Sequence, residues 1–221
     1  MPPFEFYMEK IKSSECLQIL PVILRPMSYE VADQAVADYI TSIFQLNPNE
    51  KLLYHDFEHT SKVVARGTEI ALFYKLEGEK VFIIRTAAWF HDIGYLLSGP
   101  KEHEREGVRL MEEFIPRIIS KPTLTEEIAR CIMATKRSAH PESLTEKIIC
   151  DADTYHFGTP EFKKTDPLIK KEVELWLGAV QTEWIRHSIK MLRNHQFYTT
   201  YCQERLDEGK KKNIQYLQSL L

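Results

Sequence analysis

The feature that most constrains the fold is the pair His91-Asp92, which stands at the end of a strongly apolar stretch. Residues 81–84 read Val-Phe-Ile-Ile and residues 87–90 read Ala-Ala-Trp-Phe, a run typical of a helix buried in a core. Gly94 follows closely and predicts the end of that helix. Because burial of an imidazole and a carboxylate without a partner would cost on the order of several kcal/mol, a divalent cation is the partner that best satisfies both. The pair therefore predicts a metal site.

Two other segments place metal-binding side chains beside apolar helical runs. His55 and His59 lie four positions apart at the start of one predicted helix, so both can share one face. The run at 148–150 leads into Asp151-Ala152-Asp153, where either carboxylate can serve as a ligand. Two imidazoles and two carboxylates would balance a divalent charge and leave positions open on an octahedral ion. The predicted centre is one divalent ion, namely Mn, Fe, Co, Ni, Mg or Zn.

The hydrophobic pattern along the chain is helical throughout, and no strand-like alternation of any length interrupts it. The sequence therefore predicts an all-α protein. The predicted elements include a helix capped by Ser28, a helix at 103–114 that ends before Pro116, a helix capped by Thr125, a long helical region over 167–198 and a last helix from about 198 to 221.

The composition of the chain excludes several classes of function. The chain has 221 residues, a net charge of −3 and a pI of about 6.3, so no basic field suggests binding to a nucleic acid polymer. No apolar stretch reaches the length of roughly 18 residues that a membrane span needs, and no secretory signal is expected. The scattered cysteines favour a cytoplasmic protein over a zinc ribbon or a disulfide framework. These cysteines are Cys16, Cys131, Cys150 and Cys202.

The length of the chain predicts one structural domain. Within it we expect an N-terminal arm at 1–27, a core at 28–160 and C-terminal helices at 161–221 that pack on the core.

Three of these segments, taken in order, resemble the HD-domain superfamily of metal-dependent phosphohydrolases. Residues 87–95 are similar to the segment that names the superfamily, and 148–153 to its last-ligand segment, which assigns Asp153 rather than Asp151 as the ligand. Residues 54–59 are similar to the Y-H-x-x-x-H segment of cyclic-nucleotide phosphodiesterases and some bacterial HD proteins. The resemblance implies an HD-domain helical bundle with additional C-terminal helices. The metal ligands that it implies are His59, His91, Asp92 and Asp153.

The resemblance also implies roles for residues around the metal. His55 would protonate the leaving oxygen, and Asp92 would orient the attacking water. Many HD nucleotidases carry an acidic residue where this chain has Tyr95. A second metal would need two further histidines, and although His103 lies where the first could fall, the second has no clear candidate, so one metal is favoured. Three further residues near helix ends are candidates for binding substrate, and these are His103, Glu104 and Lys136.

The expected activity is hydrolysis of a small phosphorylated molecule by a metal-activated water, and the expected substrate is a nucleotide. The alternative is a regulatory HD domain that binds a metal and a nucleotide without turnover. Neither a membrane nor a nucleic acid polymer is an expected partner, and the sequence leaves the oligomeric state open.

Overall fold

The computed structural model describes residues 27–221. The expected N-terminal arm at 1–27 therefore lies outside the described residues, apart from Met27. Across the described part of the chain the secondary structure is helical and includes no strand, which confirms the all-α prediction. No helix in this part is long and apolar enough to cross a membrane.

Ten α-helices and one short 3₁₀ turn follow one another between residues 29 and 218. They are α1 (Tyr29–Leu46), α2 (Phe57–Phe73), α3 (Glu79–Phe90), α4 (Ile93–Ser98), α5 (His103–Ile118), α6 (Pro122–Ala134), α7 (Leu144–Asp153), the 3₁₀ turn Tyr155–Gly158, α8 (Phe162–Leu177), α9 (Trp184–Asn194) and α10 (Thr200–Gln218).

Helix α3 lies at the centre of the bundle, where it contacts α1, α2, α6 and α7. From Val81 to Phe90 its side chains are apolar except Arg85 and Thr86, a composition typical of a helix that is surrounded by others. Phe82, Ile83, Ile84 and Phe90 are almost fully buried. The apolar run of the sequence is therefore the core of the molecule, and its last residue leads directly into His91 and Asp92.

Helix starts follow the cap signals in one case and depart from them in another. The predicted N-cap at Ser28 is confirmed, because its hydroxyl accepts a hydrogen bond from the backbone N–H of Val31 at 3.4 Å. The predicted cap at Thr125 is wrong, since α6 begins at Pro122. Proline has no N–H to leave unsatisfied in a first turn and its φ is already helical, so the helix starts there.

Two predicted helix ends are also wrong. Helix α5 does not end before Pro116 but continues to Ile118, because the buried Ile115 holds the last turn against the core. The helical region over 167–198 is two helices, α8 and α9. Gly178 divides them, since its φ of +66° is the left-handed conformation that ends a helix and suits glycine best.

The C-terminal helices pack on the core through buried polar contacts as well as apolar ones. The carboxylate of Asp151 accepts hydrogen bonds from the backbone N–H groups of Tyr198 and Thr199, both at 2.8 Å, which places the start of α10. Farther along α10, the amide of Asn213 donates to the carbonyls of Phe157 and Thr159. Asp151 thus points to the C-terminal helices, and Asp153 is left for another role.

Candidate metal centre

Three segments of the chain bring four metal-binding side chains to one place. His59 lies in the first turn of α2, where the Asp56 side chain caps the helix by accepting from the His59 N–H at 2.9 Å. His91 and Asp92 fill the short break between α3 and α4, and Asp153 is the last residue of α7. One ligand atom from each of these four residues lies within 4.8 Å of the others.

The atoms that face one another in this cluster lack hydrogen bonds. His59 Nε2 is 3.3 Å from both Asp92 Oδ2 and Asp153 Oδ1, and His91 Nε2 is 3.0 Å from Asp92 Oδ2. Nevertheless neither Nε2 atom nor Asp92 Oδ2 has a partner of acceptable hydrogen-bond geometry, although all are buried. Buried polar atoms are normally satisfied. A divalent cation is the species that this donor set of two imidazoles and two carboxylates fits.

The His91 ring is oriented by its other nitrogen. Nδ1 lies 2.8 Å from the carbonyl oxygen of Ala88, one turn earlier in the chain, so it donates its proton there. In the neutral ring this leaves a lone pair on Nε2, which points into the cluster. The last turn of α3, through the Ala88 carbonyl, therefore also selects the tautomer that a metal ligand needs.

In this cluster the carboxylates and the histidine rings lie close enough to shift one another's pKa values. Burial disfavours the charged forms, yet the neighbouring histidines hold the pKa values of Asp92 and Asp153 well below their usual range. Burial likewise opposes charge on His91, but the Asp92 and Asp153 carboxylates raise the pKa of His91 well above its ordinary value. The two carboxylates thus remain ionised and require positive charge beside them.

His55 lies beside the cluster and is held by a carboxylate that the sequence analysis did not identify. Glu172, on α8, is almost fully buried and forms a very short hydrogen bond with His55 Nδ1. Its other oxygen accepts the backbone N–H groups of Leu53, Tyr54 and His55 at 2.8, 2.8 and 3.1 Å. Although burial acts to raise it, these hydrogen bonds lower the pKa of Glu172. An ionised carboxylate therefore positions the His55 ring.

Tyr95 lies between two histidine rings at the site. It stacks on His55 with a centroid distance of 4.1 Å and an angle of 4°, and its ring is also 4.1 Å from that of His103. His103 Nε2 is 3.4 Å from Asp92 Oδ1 and 3.6 Å from the buried Glu104 carboxylate. The structure therefore brings His103 next to Asp92 and places the Glu104 carboxylate beside His103.

Gly94 does not end helix α3 as the sequence analysis expected, since it lies in the first turn of α4. A Cβ at this position would come within 2.2 Å of the His103 carbonyl oxygen. Glycine is needed here because the backbones of α4 and α5 touch, and this contact carries His103 to Asp92.

Lys136, the third candidate for binding substrate, lies just beyond α6. Its ammonium group is 3.1 Å from the Glu102 carboxylate, which directly precedes His103 in the chain. Lys136 is therefore near the α5 side of the site but already has an acidic partner.

Sequence reasoning also missed a buried pair beneath His59. The Tyr54 hydroxyl is 2.9 Å from His156 Nδ1, and the Tyr54 ring lies 4.5 Å from the ring of His59. Burial lowers the pKa of His156 to about 3, so this ring is neutral and shares a hydrogen bond with the hydroxyl. No local signal distinguishes His156 or Glu172 from ordinary helix residues.

Comparison with known proteins identifies the region that carries this site. The sequence profile of the HD domain matches residues 56–158, a span that includes His59, His91, Asp92 and Asp153. Among curated protein sequences there is no match.

Two solved structures share the fold over most of their length. A predicted HD superfamily hydrolase from an uncultured Thermotogales bacterium is 19% identical, with a TM-score of 0.52 over 85% of this chain and 90% of the other. Bacillus subtilis YpgQ in complex with ADP is 16% identical, with a TM-score of 0.61 over 88% of this chain and 95% of the other. The likeness therefore extends beyond the matched domain to the C-terminal helices.

Proposed function

Because residues 56–158 of this chain match the HD domain, we propose that it hydrolyses a phosphate ester or anhydride of a small molecule, with a nucleotide as the substrate. The observation that carries this proposal is the convergence of His59, His91, Asp92 and Asp153 within 4.8 Å, with buried ligand atoms that lack other partners. We assign these four residues as the ligands of one divalent metal ion.

When bound, such an ion supplies a Lewis acid that polarises a phosphoryl oxygen and lowers the pKa of a water molecule. The protein supplies the geometry around it. Asp92 Oδ2 faces the ligand cluster, whereas its Oδ1 faces His103 at 3.4 Å. A carboxylate held in this way can accept a hydrogen bond from the attacking water and orient it towards phosphorus.

His55 is the candidate for protonating the leaving oxygen. Its Nδ1 is held by the ionised Glu172, and its ring is fixed by stacking on Tyr95, so only Nε2 is available to a substrate. A general acid must carry a proton on that nitrogen and bring it within hydrogen-bond reach of the leaving oxygen. We assign His55 this role.

A nucleotide is proposed as substrate because a protein of the same fold, YpgQ, was crystallised with ADP. His103, Glu104 and Lys136 border the α5 side of the cluster and are proposed to contact the bound substrate or its hydrating water. The three cysteines in the described part of the chain are free and buried, which supports a cytoplasmic setting.

The experiment is a hydrolysis assay of the purified chain against nucleoside mono-, di- and triphosphates with Mn, Co, Ni or Mg. We expect turnover that depends on metal and falls by at least 1,000-fold in Asp92→Ala, a loss on the order expected when a metal-activating residue is removed. Asp207→Ala, a change in the last helix, serves as the matched control and should retain full activity. Absence of turnover by the wild-type protein, or its survival in Asp92→Ala, removes the enzymatic proposal.

The second candidate, a regulatory domain without turnover, is favoured by one observation. Tyr95 covers His55 at a position where many HD nucleotidases carry an acidic side chain. Nucleotide binding that depends on metal, with no product after long incubation, would select this function over hydrolysis.

A further inference from the structure

A cavity of about 270 Å³ lies next to the metal cluster, between the start of α2, the end of α7 and the start of α8. His59 and Asp153 form part of its wall. The side chain of Asp153 is 25% exposed, whereas those of His59, His91 and Asp92 are at most 6% exposed. Of the four proposed ligands, the one most accessible to solvent therefore lines this cavity.

The acidic side chains around the cavity already have partners. Asp56 caps α2 through the His59 N–H. Glu58 and Glu161 both bind the ammonium group of Lys62, Glu58 at 2.9 Å and Glu161 closer still. Lys62 offsets one of these two charges, Asp56 is committed to a helix end, and Asp153, which also lines the cavity, is a proposed metal ligand.

The basic side chains around the cavity differ in whether they already have an ionic partner. Arg66 binds Glu69 at 2.8 Å and packs its guanidinium group 4.5 Å from the centre of the Tyr155 ring. Lys164, in the first turn of α8, lines the same cavity. Among residues 27–221 its ammonium group has neither an ion pair nor a hydrogen bond, so it is a cation left for an anionic ligand.

We propose that this cavity binds the phosphate chain of the substrate and that Lys164 is the residue that holds it, an inference that rests on the proposed hydrolase function. The volume is below the range of roughly 300–1,000 Å³ that encloses a whole drug-sized ligand, so it suits a phosphate chain rather than an entire nucleotide. Leu168 lies at the rim with 41% of its surface exposed and offers an apolar surface to the remainder of the ligand.

A phosphate site at Lys164 lies at a different place from a phosphate site at Lys136. Lys136 is neutralised by Glu102 and does not line the cavity, whereas Lys164 is unpaired and does. A charged donor without a competing carboxylate gives the larger gain on binding phosphate, since no ion pair has to be broken first.

The test measures binding separately from hydrolysis. The dissociation constants of ADP and of pyrophosphate are determined by isothermal titration calorimetry with the full chain in EDTA, so that no turnover occurs. Lys164→Ala should weaken both ligands about tenfold, on the scale of one charge-assisted hydrogen bond. Lys164→Arg, which keeps the charge, should stay within about threefold of wild type.

Lys163→Ala is the matched control. Lys163 neighbours Lys164 in the chain but places its ammonium group 4.5 Å from the centre of the Tyr216 ring and does not line the cavity. This variant should bind both ligands as wild type does. Thermal unfolding of all variants verifies that the exposed substitutions leave the fold intact.

Equal affinities of wild type and Lys164→Ala would overturn the inference, as would failure of the wild-type protein to bind either ligand. A loss confined to Lys136→Ala would move the phosphate site to the α5 side. Binding that depends on Lys164 together with absent hydrolysis would remove the proposed reaction and keep this site, whereas hydrolysis with unchanged binding in Lys164→Ala would remove only this site.

Discussion

Glu172 ties helix α8 to the segment that carries His55. Its buried carboxylate accepts hydrogen bonds from three backbone N–H groups and also binds Nδ1 of His55. His55 lies 117 positions away from Glu172 in the sequence. Removal of such an acceptor would leave several buried donors unsatisfied at a cost of about 1–3 kcal/mol each. The catalytic question is what its negative charge does to His55.

The substitution Glu172→Gln separates charge from shape. The amide keeps an oxygen for the backbone N–H groups but places an N–H₂ group opposite His55 Nδ1, so the ring loses the carboxylate that holds it. If His55 is the general acid, kcat should fall about 10- to 100-fold with little change in KM or metal content. Steady-state kinetics across pH and elemental analysis measure these quantities.

Glu174→Gln, a change on the same helix, is the control for that comparison. Glu174 accepts the backbone N–H of Gln181 at 2.8 Å and has no contact with His55. A kcat for Glu172→Gln equal to that of this control would show that the charge of Glu172 has no part in catalysis.

At the scale of the elements, α8 and α9 are joined by a buried polar contact. The hydroxyl of Ser188, on α9, donates to the carboxylate of Asp166, on α8, at 2.6 Å. Burial raises the pKa of Asp166, and the hydrogen bond from Ser188 only partly opposes the rise. His187 and Lys170 are the nearby basic groups, and they too act to lower this pKa.

The sign of the resulting pH dependence follows from linkage. A carboxyl group whose pKa is higher in the folded state binds its proton more tightly there, so folding is favoured at low pH. That contribution is lost as the pH rises through the folded-state pKa. Asp166→Asn is neutral at every pH and keeps an acceptor for Ser188. We therefore expect the gain in Tm of this variant over wild type to be larger at pH 7 than at pH 4.

Thermal scans of both proteins at the two pH values provide the measurement. Ser188→Ala serves as a companion variant, because it removes the hydrogen bond and leaves the carboxyl group. A difference in Tm that is the same at both pH values would contradict the assigned burial effect.

At the scale of the whole molecule, the proposed metal ligands join helices that are far apart in the chain. His59, the His91-Asp92 pair and Asp153 belong to α2, the α3–α4 junction and α7, so an ion bound among them exists only in the folded state. Binding to the native state alone stabilises it by about 2.7 kcal/mol when the metal is present at 100 times its Kd. For a chain of this size that corresponds to a rise in Tm of roughly 5–11 °C.

Differential scanning calorimetry with EDTA and with added Mn measures this rise, which should be absent in Asp153→Asn. A similar rise in that variant would place the metal elsewhere. We also propose that residues 28–160 and 161–221 unfold as one unit, since Asp151, Asn213 and Glu172 connect them through buried hydrogen bonds. The same scans should then show a single transition.

Much of this architecture can be predicted from the amino-acid sequence. The helical class follows from the spacing of apolar residues, and α3 is recognisable as a core helix because apolar residues dominate it from Val81 to Phe90. His59, His91-Asp92 and Asp153 stand out because each is an ionisable group attached to a buried run. The need to compensate such groups on burial predicts that they meet.

The ends of several helices were harder to predict, because neighbouring residues gave conflicting signals for where a helix starts or stops. Helix α6 begins at Pro122 and not after Thr125, and Gly178 divides a region whose apolar spacing is continuously helical. In both cases a backbone preference outweighed the side-chain pattern.

The sequence by itself determined the helical class, the buried central helix and the set of ionisable residues that need a common partner, since each is written in local spacing and residue type. Only the tertiary structure decided that Glu172 holds His55 and that Asp151 faces α10 while Asp153 faces the cluster. It also decided that Lys164 lines a cavity and, within the described part of the chain, has no ion pair. These facts depend on contacts between residues far apart in the chain. A glutamate or lysine in an amphipathic helix has the same local pattern whether it faces solvent, a histidine or a ligand.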